Sequence, residues 1–431
     1  MQLSGPGTGV RTALRSYLAA RLRGQKSGAD AVRLTAHNRS RRPFFALING
    51  ACLLGAPAFA DVLPDDRADV LYHRYEGGGI TIQGPEVLVR KKVGESLSLS
   101  ASYYEDLISS ASIDVQLSAS PYKEKRKQKT FGVDYLHGKS TYSAGIINSK
   151  EPDYQSNTSF YSVSQDMFGD LTTLTMTYKR GWDRIERDIK DATSGQIIND
   201  STFHQIADHK GYTLGLSQIL TRNLIMSLNY EVLTDQGYLA NPYRKILVLD
   251  QTQGLGYSLA DQIYPNTRTS NAGSIDLKYY LPYRAALDGQ YRFFSDTWGI
   301  IAHTARIGYT QPIWKRWVFD GSFRYYRQSA ADFFADIYPR ANFANFMARD
   351  RELAAFQSYT LGAGVAYELA IPRAPWINRS SLNLRLDHLL INYSDYRNAL
   401  LINPAAGIKP GQEPLYRLNA NILQLFFSIW Y

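Results

Sequence analysis

Cysteine is almost absent: Cys52 is the only one in 431 residues. It lies in an N-terminal stretch expected to be removed, so the remaining chain has no disulfide framework, thiolate metal site or thiol nucleophile. No apolar run approaches the roughly 18 residues of a membrane helix, and the mean hydropathy is negative. No Pro/Gly/Ser-rich linker or clear repeat divides the chain, although its length would ordinarily suggest two or three soluble domains. A G-x-S-x-G elbow is missing too. Of the strand histidines outside the rims, His303 and His388 share a phase with apolar neighbours, so neither sits where a hydrolytic site would need it. The expectation is a protein that is not an enzyme and uses no cofactor.

Excess positive charge is also lacking once the N-terminus is set aside. The chain carries a formal +9. Residues 1–42 hold nine Arg/Lys against Asp30 alone, which leaves the rest near +1. The high isoelectric point therefore gives no support for nucleic-acid binding. Residues 43–60 carry no charge, Phe44–Leu54 is apolar, and Ala58-Phe59-Ala60 is a small-x-small site before Asp61. Basic flank, short apolar run and A-x-A end describe a cleavable signal peptide over residues 1–60, with cleavage between Ala60 and Asp61. Asn49-Gly50-Ala51-Cys52 lacks the Leu expected three residues before a lipidated cysteine. Residues 61–78 are polar and read as a short periplasmic segment.

What is present is alternation. Ile275, Leu277, Tyr279 and Leu281 alternate with Ser274, Asp276, Lys278 and Tyr280. Leu287, Tyr291 and Phe293 alternate with Asp288, Gln290 and Arg292, and Trp317, Phe319 and Phe323 with Asp320, Ser322 and Arg324. Side chains alternate faces along a strand, so each run builds a sheet with one apolar and one polar surface. The joints 282–285, 296–299 and 312–315 are too short for crossover helices, so neighbouring strands are antiparallel. Such strands of about ten residues are the signature of a transmembrane up-and-down β-barrel. About sixteen strands are expected over residues 79–431, including one at 79–92 and one at 111–119.

Connection lengths sort by parity. The long gaps near 186–208, 236–267, 329–355 and 396–415 all fall on one side, and short turns dominate the other. Outer-membrane barrels have long extracellular loops and short periplasmic turns. Leu423, Leu425, Phe427, Ile429 and Tyr431 alternate to a terminal aromatic, the form of a signal to the barrel-assembly machinery. Tyr416, Leu418, Ala420 and Ile422 alternate in the opposite phase, so a bulge is expected near Ile422–Leu423. Trp314, Trp317, Trp376 and Trp430 are expected in one interfacial girdle, Trp182 and Trp298 in the other.

Tyr264-Pro265-Asn266-Thr267-Arg268-Thr269, Ser295-Asp296-Thr297-Trp298-Gly299-Ile300, the run Arg324–Phe333 and Phe346-Met347-Ala348-Arg349-Asp350 resemble an uncharacterised bacterial family, a domain of unknown function regarded as an outer-membrane barrel. The resemblance runs from about Asp61 to Tyr431 and supplies no catalytic residues. It implies at most an association with genes for flavin attachment and thioredoxin-like proteins.

Opposite the apolar stripes lie Asp276, Lys278, Asp288, Arg292, Arg306, Asp320, Arg324, Glu368, Arg385, Asp387 and Arg417, the expected lumen lining. Isolated ions in a dry lumen would cost many kcal/mol. Either water fills the bore and these charges line a passive channel for small polar solutes, or they pair across a blocked lumen in a scaffold that docks a periplasmic, redox-type partner. Sixteen strands can enclose an aqueous channel, which favours the first reading. Lys123, Lys125, Arg126, Lys127 and Lys129 are expected in a loop facing lipopolysaccharide phosphates. No aromatic stacking surface accompanies them, so a nucleic-acid partner is not expected. His204 and His209, with Asp200 and Asp208, fall in an expected loop but match no metal motif. Asp332 and Asp336, with Asp350 and Glu352, could bind calcium or keep a loop solvated, and solvation is the favoured reading.

Overall fold

The computed structural model describes residues 62–431 apart from 111, 113–115, 118–121, 192–195 and 372–373. The cleavage residues Ala58, Ala60 and Asp61 lie outside the described residues, as does Cys52. Sixteen antiparallel strands close into one barrel. In chain order they begin with β1 (Arg67–Gly77), β2 (Ile80–Val93), β3 (Leu97–Ser110), β4 (Tyr122–His137), β5 (Ser140–Lys150) and β6 (Tyr154–Met167). Next come β7 (Thr172–Lys190), β8 (Ile197–Thr221) and β9 (Leu224–Gly237). A separate two-stranded hairpin, β10 (Lys245–Leu249) and β11 (Tyr257–Asp261), interrupts the wall. The wall resumes with β12 (Thr267–Tyr280), β13 (Ala286–Asp296), β14 (Ile301–Ile313), β15 (Trp317–Gln328), β16 (Phe356–Leu369), β17 (Arg379–Arg397) and β18 (Leu415–Trp430). Closure is between the first and last strands, with Arg67 opposite Trp430 and Gly77 opposite Ala420.

The expected strand number is met through two compensating errors. Arg67–Gly77, read as a periplasmic segment, is a wall strand whose side chains alternate between buried (Leu71, His73, Tyr75) and exposed (Val70, Tyr72). Its mixed composition hid the period, because the inward face carries both Leu and His. Conversely, the strand expected at 111–119 is not formed by its described residues; Gln116 N donates to the Ser112 carbonyl at 2.9 Å. The missed first strand also moves the turn 94–96 to the short-turn end.

The outer face is apolar. Val70, Ile146, Tyr161, Met176, Leu277, Ile307, Phe323, Leu386 and Leu425 are all substantially exposed, while the alternate residues turn inward. An apolar girdle around a wall whose strands pair in a closed ring is what a bilayer requires. No described helix is long and apolar enough to cross a membrane; the strands do so. This is an integral outer-membrane β-barrel. Lipid contact makes the faces unequal at neighbouring positions. Arg306 points inward, whereas Ile307 is 52% exposed midway along β14. Ile307→Arg is expected to cost about 2–4 kcal/mol, the price of a cation in the bilayer midplane. Urea unfolding in lipid vesicles checks this; an unchanged midpoint would mean that β14 does not face lipid there.

Candidate functional site

Alternation places almost all of the expected lumen residues on the inner face. Asp276 and Lys278 are buried on β12, and Asp288, Arg292, Arg306, Asp320, Arg324, Glu368, Arg385 and Asp387 occupy inward positions on β13–β17. They are joined along the wall. Arg385 donates to Asp320 at 2.7 Å and to Asp387 at 2.6 Å, and reaches Ser322 at 2.9 Å. Arg306 pairs with Asp288, and Arg292 donates to Glu231 at 3.1 Å. Gly364 and Gly308 explain how these groups lie flat. A Cβ at Gly364 would collide with the Asp320 carboxylate, and one at Gly308 with that of Asp288. Side chains of Arg385, Asp320 and Asp288 remain about a fifth exposed (22%, 21% and 21%), so this belt is partly hydrated.

Arg417 is the exception: it faces outward. The pairing of β17 with β18 is regular from Arg379/Trp430 to Asn392/Arg417, so there is no bulge at Ile422–Leu423. Leu418, Ala420 and Ile422, which looked lipid-facing because they are apolar, face the interior and are buried. The rule that apolar residues face lipid fails here because the interior is not polar at that height.

The reason is a cover that the sequence did not announce. At the long-loop end, residues 329–355 fold into the barrel. On one side Ala354 packs with Tyr75, Ile82, Ile108, Leu389, Ile391 and Leu418 of β1–β3, β17 and β18. On the other, Ala331, Ala348 and Leu353 pack with Tyr154, Ile185 and Ala207 of β6–β8. Those strands lie on opposite sides of the ring, so this segment spans the lumen. The β10–β11 hairpin backs it: Leu249 N donates to Tyr338 O and Tyr338 N to Leu247 O, each at 2.8 Å. Ile246, Val248, Tyr338 and Met347 form a small core between them.

Ion pairs lock the cover. Arg244, 4% exposed, donates to Asp350 at 2.7 Å and Glu352 at 2.9 Å. Asp350 also accepts from Gln262 at 3.1 Å and from the Tyr264 hydroxyl. Arg349 donates to Asp336 and to the Arg397 carbonyl at 2.8 and 3.0 Å, and lies 4.6 Å over the Tyr396 ring. Burial raises the Asp336 carboxyl above the usual range despite Arg349 beside it. These acids thus serve internal pairing, where loop solvation was expected. Trp298 belongs here as well: it is buried, edge-on to Tyr264 and Phe333, with Arg268 at 4.5 Å over its ring, and is no part of a girdle. Trp430 likewise turns inward, under Arg379 at 3.7 Å. Trp182, Trp314 and Trp376 are exposed.

Two further expectations change. The basic run is not in a loop but on β4, where alternation splits it: Lys123, Lys125, Lys127 and Lys129 point outward and Arg126 inward. Arg126 is 1% exposed and donates to Ser149 at 2.7 Å and Gln128 at 2.8 Å. His204 and His209 are both on β8. His204 is exposed, whereas His209 is buried between Asp183 (3.0 Å) and Asp235 (2.7 Å). Asp200 is taken by Arg187 and Asp208 by Arg180. Among the described residues no group of three or more His/Cys/Asp/Glu could hold a metal ion.

Among curated proteins none matches this sequence. Solved structures similar to the chain include a bacterial polysaccharide outer membrane secretin (6% identity, TM-score 0.46, covering 86% of this chain and 100% of that one). The outer membrane protein OpdK of Pseudomonas aeruginosa, solved with vanillate, is 10% identical with a TM-score of 0.41, over 86% and 100% of the two chains. The siderophore receptor PirA of Acinetobacter baumannii is 10% identical with a TM-score of 0.40, over 85% of this chain and 60% of the receptor. A family model described as "Protein of unknown function (DUF3570)" matches residues 113–395, more than half of the chain, and the chain belongs to that family.

Proposed function

We propose that the protein is a passive outer-membrane channel for small polar solutes, closed at its long-loop end by residues 329–355 in the resting state. The observation that carries this reading is the inner belt of Arg292, Arg306 and Arg385 with Glu231, Asp288, Asp320 and Asp387. These charges pair with wall neighbours rather than across the bore, and keep partial contact with water. A lumen built to stay dry would gain more from apolar residues than from such pairs, because the desolvation cost rivals the attraction. Mixed sign suits neutral or zwitterionic polar solutes better than one ion class. Assembly into the membrane would proceed through the C-terminal strand ending at Tyr431.

The cover favours one rival reading, a barrel that docks a periplasmic partner at its short-turn end and conducts nothing. Planar-bilayer recording of the purified protein separates the two. We expect infrequent, salt-dependent openings, and the double change Arg306→Glu/Arg385→Glu should shift the permeability ratio of those openings toward cations. Silence in both the native protein and a variant with its cover released, with a stoichiometric partner co-purifying, would favour the docking barrel.

A further inference from the structure

The geometry points to a binding site on the outer wall of β4–β9 for one phosphorylated acyl lipid of the outer leaflet, of the diphosphoryl lipid A kind. The wall of a barrel is ordinarily convex, yet here its lipid face is hollowed by a cavity of about 810 Å³. Two rows of outward residues line it. One runs Val133, Ala144, Tyr161, Tyr178, Tyr212 and Val232 across paired strands, and the next row toward the short turns includes Tyr142, Met176 and Tyr230. Ala144 leaves a low floor among large rings, a shape suited to acyl chains rather than to a flat protein face.

The second observation is charge directly above the hollow. Two residues further toward the long loops, Arg180 and Lys210 pair across β7 and β8. Lys129 lies one row higher, and Lys127, Lys150 and Arg184 occupy the row above that. Each two-residue step is about 7 Å along a strand, so the cations form a ladder leading from the acyl region into the headgroup zone. Asp208 engages Arg180 at 3.1 Å and Lys210 at 4.0 Å, and Glu105 engages Lys125 at 2.6 Å. Among the described residues Lys127, Lys129, Lys150 and Arg184 have no ion-pair partner within 4 Å. Trp182, 45% exposed, lies in the same row as Lys129.

The opposite half of the rim has no such cluster. There the outward positions are mostly Thr269, Asn271, Ser295, Asn392 and Asn419, with Arg327 and Arg417 as isolated cations and Arg74 paired with Glu76 at 2.8 Å. A general affinity for an anionic membrane would spread cations around the ring. Concentration above one apolar hollow instead fits a single lipid with more than one phosphate.

Native mass spectrometry of the full protein in detergent tests this, with diphosphoryl lipid A, its dephosphorylated form and phosphatidylcholine as probes. One lipid A molecule should be retained, and removing its phosphates should weaken binding about tenfold or more, as expected where several Lys/Arg face anionic groups. Lys127→Gln/Lys129→Gln/Lys150→Gln/Arg184→Gln should lose a similar factor, while the same four positions as Arg should bind normally. Ala144→Trp should weaken binding with the cations intact. Heat-modifiable gel migration verifies that each variant is folded. Equal binding of phosphorylated and dephosphorylated lipid, or no loss in the quadruple Gln variant, would overturn the site. So would a native dimer that Ala144→Trp dissociates, since the hollow would then belong to a second copy.

Discussion

Arg244→Ala should release the cover and raise single-channel activity by about a hundredfold or more. Arg244 is the only cation that bonds both Asp350 and Glu352 among the described hydrogen bonds of the cover. Removing it takes that cation from Asp350, 1% exposed, and leaves Glu352 beside Arg351 at 3.7 Å. Breaking a buried pair from one side costs about 3–5 kcal/mol, mostly because the remaining charge cannot be solvated where it stands. The wall cannot relieve that cost, since its strands are paired around a closed ring. Residues 329–355 can, by swinging their acids into water. A penalty of that size exceeds the roughly 1.4 kcal/mol that each tenfold population shift requires. The variant should therefore show frequent openings and rapid proteolysis within 329–355. Its migration in unboiled gels should stay that of an intact barrel, and Arg244→Lys should recover part of the closure. A closed, protease-resistant Arg244→Ala protein would show that the apolar packing of Ala331, Ala348, Leu353 and Ala354 holds the cover alone.

How much of this could be read beforehand follows from what alternation does and does not encode. A period of two fixes which residues share a face, and Asp288, Arg306, Asp320 and Arg385 share one. It does not say which side is inside. That assignment borrowed the rule that apolar faces lipid, and the rule fails where the lumen is filled. Leu418, Ala420 and Ile422 on β18 are apolar because they meet the cover, so the rule turns Arg417 inward whereas it faces out. The apparent phase switch at Ile422–Leu423 is itself the trace of the cover: the apolar side changes there, from Leu418, Ala420 and Ile422 facing inward opposite polar Arg417, Asn419 and Asn421, to Leu423, Leu425 and Phe427 facing lipid. Loops were legible only by length. The gap near 236–267 revealed its size but not that Lys245–Leu249 and Tyr257–Asp261 pair as a hairpin. Strand length was underestimated beyond the membrane, where period-two polar runs such as Lys123–Lys129 look like loops. The buried partners of Arg244 and Arg349 come from segments about a hundred and about ten residues away, respectively, a pairing no local pattern carries.

His209→Ala should destabilise the barrel by about 3–5 kcal/mol, more than any other single change on β8. Both ring nitrogens of His209 lie within hydrogen-bond distance of carboxylates, Nε2 at 3.0 Å from Asp183 and Nδ1 at 2.7 Å from Asp235. An ionised carboxylate only accepts, so the ring must donate from both sides and carries a positive charge. It thereby ties β7, β8 and β9 together at one height, beside the Tyr154 hydroxyl that also donates to Asp183. Forming this triad gains little net, because three charged groups lose their hydration. Removing only its centre is different, since Asp183 and Asp235 then face each other, 0% and 4% exposed, without a cation between them. Tyr154 and Ala207 beside the triad also pack against the cover, so the damage should reach the closure as well as the wall. Thermal unfolding in detergent should drop by many degrees for His209→Ala. His204→Ala, at a side chain 62% exposed on the same strand, should stay within about 0.5 kcal/mol of the native protein. Asp183→Asn/Asp235→Asn in the His209→Ala background should restore most of the loss, because neutral amides remove the repulsion. If the triple variant is no more stable than His209→Ala, lost packing outweighs the uncompensated charge, and the ion triad is not what holds these three strands together.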